Sequence, residues 1–257
     1  VYVEQIPSNQ IENWARIQAD RFANPVIRGF HTELETVYEE KNMSLTKDFR
    51  KALEAMAGML FPDHPYGTQT VLGTQEHLKN PSITNIKNYQ KTYYVPNNMA
   101  ICLSGDFDPD EMVAMIEKYF GQMQPNKDLP EITLATSSVI ESPVEKDVYG
   151  LDAENIMIGW KYPGAKSEDA LVAEVAASVL YNGSAGLIDL NINQQQKVLG
   201  AYGMSYGRPD AGEFILMGNP KQGQTLEEVR DILLAEVAKL RNGEFDDAVL
   251  SGTVNNM

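Results

Sequence analysis

The chain has 257 residues, 43% of them hydrophobic, enough for one large or two medium domains with cores of their own. Twenty-one lysines and arginines stand against 36 aspartates and glutamates, a net charge of −15. Such a chain lacks the cations that neutralise phosphates, so nucleic acid and anionic membrane surfaces are poor partners, and neutral or cationic peptides fit better.

No window approaches the ~20 apolar residues of a membrane span. Cys102 is the only cysteine, which excludes an intrachain disulfide and a thiolate zinc cluster. Residues 1–6 alternate as a strand. Ser8 then suits the N-cap of a helix with the apolar stripe Ile11, Trp14, Ala15, Ile17 and Phe22, which runs to Pro25. After Gly29 comes an acidic helix, Glu33-Leu-Glu-Thr-Val-Tyr-Glu-Glu40. Its buried stripe is Leu34, Val37, Tyr38 and the stem of Lys41, and Glu35 and Glu39 point to water. Glu33 and Glu40 are two turns apart, on one face, at the border of that stripe.

A helix over 45–60 with Phe49, Leu53, Met56, Ala57 and Leu60 inward is broken by Phe61-Pro-Asp-His-Pro-Tyr-Gly67. Two short helices follow, over 74–79 and 82–94. Pro96-Asn-Asn98 turns the chain into a buried strand over 99–104, which places Cys102 in an inert core. Asp108 caps a helix with Met112, Val113, Ile116 and Phe120 inward. The stretch 121–138, with Pro125 and Pro130, reads as a linker.

Beyond it the pattern restarts, with strands over 144–149 and 155–162, a helix over 167–181 and a helical stretch over 185–196. Strands over 201–206 and 214–217 pair, and Thr225 caps a long helix carrying Val229, Ile232, Leu233, Val237 and Leu240. The unit of strand, glycine and capped amphipathic helix thus occurs twice, ending near Phe120 and Leu240, which suggests a duplicated domain. The fold expected is α+β: two similar layered domains, 1–138 and 139–257, each a mostly antiparallel sheet with helices packed on one side. The chain opens without an initiator methionine and closes in helical residues without a stop signal, as an excised piece of a longer protein would.

The three histidines, His31, His64 and His77, include no pair four residues apart that could present two imidazoles to a metal. His64 reads as a turn residue bonded to nearby backbone and His77 as a surface residue. His31 is within reach of Glu33. No Gly-x-Ser-x-Gly elbow and no Cys/His pairing appear, and Gly203-Met-Ser-Tyr-Gly-Arg208 lacks the lysine-serine ending of a phosphate loop.

Three strings change the weight of the two border glutamates. They are Glu33 to Asn42, then His64-Pro-Tyr-Gly67 with Gly73, then Tyr93-Tyr-Val-Pro-Asn-Asn-Met-Ala-Ile-Cys-Leu-Ser-Gly-Asp106. In this order and spacing they resemble the pitrilysin/insulinase family of zinc peptidases, to which mitochondrial processing peptidase belongs. The resemblance covers essentially the whole chain, with 144–257 similar to the start of the family's second, similarly folded domain. It implies a zinc metalloendopeptidase in which an inverted His-x-x-Glu-His helix supplies two ligands and the general base. A glutamate ~75 residues later supplies the third ligand and leaves one position for water. On this chain Glu40 would be that zinc ligand, and Glu33 the carboxylate that orients it.

The match has gaps. No His-x-x-Glu-His occurs here, and its expected place lies upstream of Val1, as does that of the edge strand that binds substrate. The fragment alone is therefore expected to bind no zinc and to hydrolyse nothing. Second domains of the family often carry an arginine seven residues before a tyrosine; here Gln195 precedes Tyr202, whose plain role is packing on its sheet. That loss would suit the first half of a long, two-half member whose distal half binds substrate. The implied partners are a peptide substrate, the missing N-terminal segment and a second homologous half. Two alternatives stay open: a non-catalytic scaffold or partner subunit of the family, and a free-standing acidic peptide-binding module. The residues do not fix a compartment; the resemblance adds only that bacterial members are often exported to the periplasm or beyond.

Overall fold

The computed structural model of the chain describes residues 1–131, 133 and 136–257. The elements in chain order are α1 (Ile11–Ala23), α2 (Phe30–Leu45), α3 (Asp48–Leu60), α4 (Pro65–Thr68), α5 (Gln75–Lys79), α6 (Ile83–Tyr93) and α7 (Pro109–Phe120). Then follow β1 (Ile156–Pro163), α8 (Glu168–Leu180), β2 (Gly200–Tyr206), β3 (Ala211–Asn219), α9 (Leu226–Asn242) and α10 (Asp247–Asn256). The helix starts follow local chemistry. Thr74, Ser82, Asp108, Ser167, Thr225 and Asp246 each accept a backbone N–H of the first turn, as the orphan donors there require. At Thr225 the bond is reciprocal, because Glu228 reaches back to the Thr225 N–H. Ser8 is not such a cap: it begins a 3-10 turn over Ser8–Gln10, and no side chain caps α1.

The chain divides into two compact units, residues 1–41 with 74–133 and residues 42–73 with 134–257. The first unit is helical. Its α1 packs on α7 through Trp14 and Phe120, with ring centroids 6.3 Å apart, and Ala15, Ala19, Val95 and Met112 are buried. Glu12 ties the two helices at their surface by accepting from Lys118 Nζ at 2.8 Å and Tyr119 Oη at 2.7 Å. Ile17 and Val113, expected inward, are exposed.

Three expected strands are absent. Residues 1–6, 99–104 and 144–149 carry no ladder, and Cys102 lies exposed rather than in an inert core. Apolar alternation shows which face could meet a core, but a strand exists only when a neighbour takes its N–H and C=O groups, and these segments have no such neighbour among the described residues. The linker expected over 121–138 includes residues 132, 134 and 135, which lie outside the described set.

The second unit is built on a sheet of order β1-β3-β2, antiparallel throughout. Ile158 and Gly203 both pair with Leu216. With β3 central, its residues alternate between two covered faces. Leu216 joins Val179, Leu180, Ile188, Val229 and Leu233, the core beneath α8 and α9. Ile215 joins Met56, Leu60 and Phe61, so α3 covers the opposite face in addition to the one-sided helical layer expected. A fully buried leucine or isoleucine of this kind contributes about 1.5–3 kcal/mol by leaving water. Phe49, expected inward on α3, is exposed. The helical stretch expected over 185–196 is a π-helical turn, Asp189–Asn193, preceded by two residues of α-helix. α9 ends where Gly243 takes φ +69°, so that the Gly243 and Glu244 N–H groups return to the Leu240 and Lys239 carbonyls.

The segment 137–152 is fastened at both ends. Asp63 accepts from the Ser138 N–H, and Lys161 Nζ donates to Ser137 Oγ at 2.8 Å and to the Ser138 carbonyl. Asp48 accepts from the Leu151 and Asp152 N–H groups and from Lys51 Nζ.

Candidate functional site

α2 begins after Gly29 and carries both border glutamates. Glu33 falls in its first turn, where the helix dipole favours a carboxylate. Glu40 lies seven residues on, about 10 Å along the axis at 1.5 Å per residue. Both are exposed. Lys41 is the buried side chain of the helix, at 4% exposure, while Leu34, Val37 and Tyr38 are half-buried. Glu39 and Lys41 are engaged with neighbours; Glu33 and Glu40 make no side-chain hydrogen bond or ion pair among the described residues. The helix therefore presents two exposed carboxylates on one face, free to take a cation or a hydrogen-bond donor.

No histidine joins these carboxylates in a group of three metal donors among the described residues. His31 is exposed, edge-on to Phe30 with centroids 5.5 Å apart, and His77 is exposed, its ring accepting from the Thr74 N–H at 3.3 Å. His64 is the turn residue that its neighbours imply, and it is fully buried. Its Nδ1 accepts from the Tyr66 N–H at 3.1 Å, which caps α4 and leaves the ring proton on Nε2. That nitrogen lies 3.3 Å from Asp210 Oδ2 without the alignment of a hydrogen bond.

Around His64 stands a network that the sequence does not announce. Arg208 covers the Tyr66 ring at 4.5 Å and pairs with Glu213. Burial pushes the Glu213 carboxyl up, against the pull of Arg208. Gly67 belongs to this turn because a Cβ there would run into the Phe61 and Ala57 carbonyls. The partners lie more than 140 residues beyond His64 in sequence, and the only local signal is a cluster of charges around Pro209. In the second domain Gln195 sits in the turn after the π-helical residues, and Tyr202 sits in β2, edge-on to Tyr181 at 6.1 Å.

Among the described residues no three histidine, cysteine, aspartate or glutamate side chains converge as metal donors. The residues present thus do not assemble a zinc site by themselves; Glu40 could supply one carboxylate to it.

Residues 82–257, more than half of the chain, match the family model described as the peptidase M16 inactive domain. The chain belongs to the peptidase M16 family. This agrees with the resemblance to the pitrilysin/insulinase peptidases, and several relatives bear zinc protease names. The zinc protease PqqE of Helicobacter pylori is 22% identical over 196 residues, covering 73% of this chain and 43% of the relative. A crystal structure of a protease from Helicobacter pylori superposes with a TM-score of 0.79 at 19% identity, covering 98% of this chain and 62% of that one. The first half of the periplasmic protease PqqL from Escherichia coli superposes with a TM-score of 0.67 at 15% identity, covering 99% of this chain and 56% of that one. The M16 fold is α+β, as expected, and this chain spans less than half the length of the curated relative. No helix among the described residues is long and apolar enough to cross a membrane.

Proposed function

We propose that this chain is part of a zinc metallopeptidase that hydrolyses peptides, and that Glu40 is the third protein ligand of its zinc. Glu33 is the neighbouring carboxylate that orients the site. Residues 1–138 are the C-terminal part of the first peptidase domain, and 139–257 begin the second, homologous and non-catalytic domain. The two histidine ligands and the general base belong to a helix outside this chain, so the 257 residues alone hold no zinc and cleave nothing. The observation that carries the reading is the exposed, unpartnered Glu33/Glu40 pair, two turns apart on α2 of an M16 chain. An acidic chain of net charge −15 favours neutral or cationic peptide substrates. A second homologous half and an exported or periplasmic location are the further parts of the proposal, by analogy with the Escherichia coli protease.

The test is made on the full-length protein. Glu40→Gln should remove zinc and cut peptide hydrolysis by more than ~100-fold, and Glu33→Gln should cost ~10–100-fold, the range for groups that orient a ligand. Unchanged zinc content and rate in Glu40→Gln would take Glu40 out of the site. The matched model is described as an inactive domain, and that favours a second reading: a non-catalytic scaffold or partner subunit. A full-length protein that neither binds zinc nor cleaves any peptide would establish the second reading over the first.

A further inference from the structure

In the first unit an open cavity of about 290 Å³ lies between the C-terminal half of α1, the turn after it and α6. Tyr2, Phe22, Tyr89 and Tyr94 wall it with aromatic rings, Ile86 adds an aliphatic surface, and Arg21 is its one cation. Phe22 and Tyr94 stack at 6.4 Å with planes 24° apart, and Tyr2 meets them edge-on at 5.2 and 6.5 Å. The Arg21 guanidinium sits 4.7 Å over the Tyr2 ring and 5.8 Å from that of Phe22, so aromatic faces fix where its fork can point.

Arg21 is paired with Glu4 through one nitrogen only, which leaves two of its donor nitrogens open. Glu4 is the nearest carboxylate, but it is held by Trp14 Nε1 at 2.7 Å and by Gln18 Nε2 at 2.9 Å. Arg21 reaches Glu4 only through Nη1 at 3.5 Å, and the same nitrogen donates to Gln18 Oε1 at 3.3 Å. Among the described residues Nε and Nη2 make no hydrogen bond, and the side chain is 48% exposed. The Tyr94 hydroxyl is pushed above its ordinary range, chiefly by its hydrogen bond with the Tyr2 hydroxyl.

We propose that this cavity binds an aromatic ring that carries a carboxylate, the ring stacking among Tyr2, Tyr89 and Tyr94 and the carboxylate taking the free fork of Arg21. Size and charge narrow the class. Small-molecule sites begin at about 300 Å³, so the space suits one residue rather than a nucleotide or a lipid. One guanidinium in a chain of net charge −15 suits a monoanion rather than a phosphate. A peptide ending in phenylalanine, tyrosine or tryptophan carries this chemistry, and so does the free amino acid. Glu33 and Glu40 do not line the cavity, so its occupancy and the zinc role of Glu40 can fail separately.

The full-length protein is titrated with N-acetyl-L-phenylalaninate and with N-acetyl-L-phenylalaninamide, followed by calorimetry and by NMR of the tyrosine rings. The acid should bind saturably and the amide about tenfold more weakly or worse, as the loss of a charge-assisted pair predicts. Arg21→Gln should erase that preference, and Arg21→Lys should keep part of it. Val26→Trp, at an exposed position on the rim, should block both ligands while circular dichroism stays unchanged. An N-acetylated dipeptide ending in phenylalanine that binds where free phenylalanine does not identifies a peptide terminus; the reverse identifies the amino acid. Equal binding of acid and amide, an unchanged preference in Arg21→Gln, or no saturable binding would overturn the proposal.

Discussion

Residues 99–120 and 211–242 share one sequence design: an apolar stretch, a turn through glycine, an oxygen-bearing cap and an amphipathic helix. In both, the helix forms. Asp108 accepts from the Asp110 and Glu111 N–H groups at 2.9 and 3.0 Å, and Thr225 accepts from the Glu228 N–H at 3.2 Å. Only the later copy has a strand. β3 gives its backbone to β1 on one side and β2 on the other, whereas 99–104 has no such neighbour among the described residues. Helical bonds close within four residues and a cap within three, so a local sequence suffices for them. A strand is a property of two segments, and its sequence states only half of the condition.

Four experiments can break or sharpen this contrast. The largest effect belongs to the sheet unit. Leu233→Ala, at a fully buried position of α9, should cost about 2–5 kcal/mol in urea unfolding. Amide exchange in α1 and α7 should stay unchanged in that variant; equal acceleration there would make the two units one cooperative body. Gly67→Ala should cost about 1–3 kcal/mol, the range for forcing atoms into filled space. The His64 ring signals should shift with it, since the turn must open; unshifted signals would mean that the turn tolerates a side chain.

Removing the caps probes what the two copies have in common. Thr225→Ala and Asp108→Ala should each cost about 1 kcal/mol of local helix stability, measured by exchange at the first turns of α9 and α7. A loss at Thr225 alone would mean that the sheet, not the cap, makes the helix. The smallest effect is one of pH. The Asp48 carboxyl is held at about 2 against an ordinary 3.8, first by the Lys51 hydrogen bond and then by the Asp152 and Leu151 N–H groups. A depressed carboxylate stabilises the fold above its ordinary value, and that contribution fades as pH falls from near 3.8 to near 2. The Leu151 and Asp152 amide shifts should titrate with a midpoint near pH 2 and lose the transition in Asp48→Asn. A transition at higher pH, or one that survives the substitution, would show that Asp48 does not hold the strap.

The same contrast explains what could be read in advance. The helices were legible from caps and apolar spacing, and β1, β2 and β3 from dense apolar runs within three residues of their observed bounds. The segments 1–6, 99–104 and 144–149 were misjudged because nothing in them tells whether a partner strand is present. Glu33 and Glu40 were correctly placed on one helix, but their exposure depends on what packs against α2, which spacing cannot say. The surroundings of His64 were illegible for a different reason. Arg208, Asp210 and Glu213 meet it only after the chain has folded back across more than 140 residues. The cavity at Arg21 was not legible, because Tyr2, Arg21, Tyr89 and Tyr94 come together from segments far apart in sequence.

The strand order β1-β3-β2 carries a consequence for how the chain acquires its shape during synthesis. Both outer strands bond only to the one made last, so a ribosome that has delivered residue 206 has released two strands with nothing to hold them. Residues 211–219 close a hairpin with β2 across a six-residue loop and at the same stroke recruit β1 from almost fifty positions earlier. Until then α8 has no floor, and its apolar side chains are the surface that a chaperone would meet.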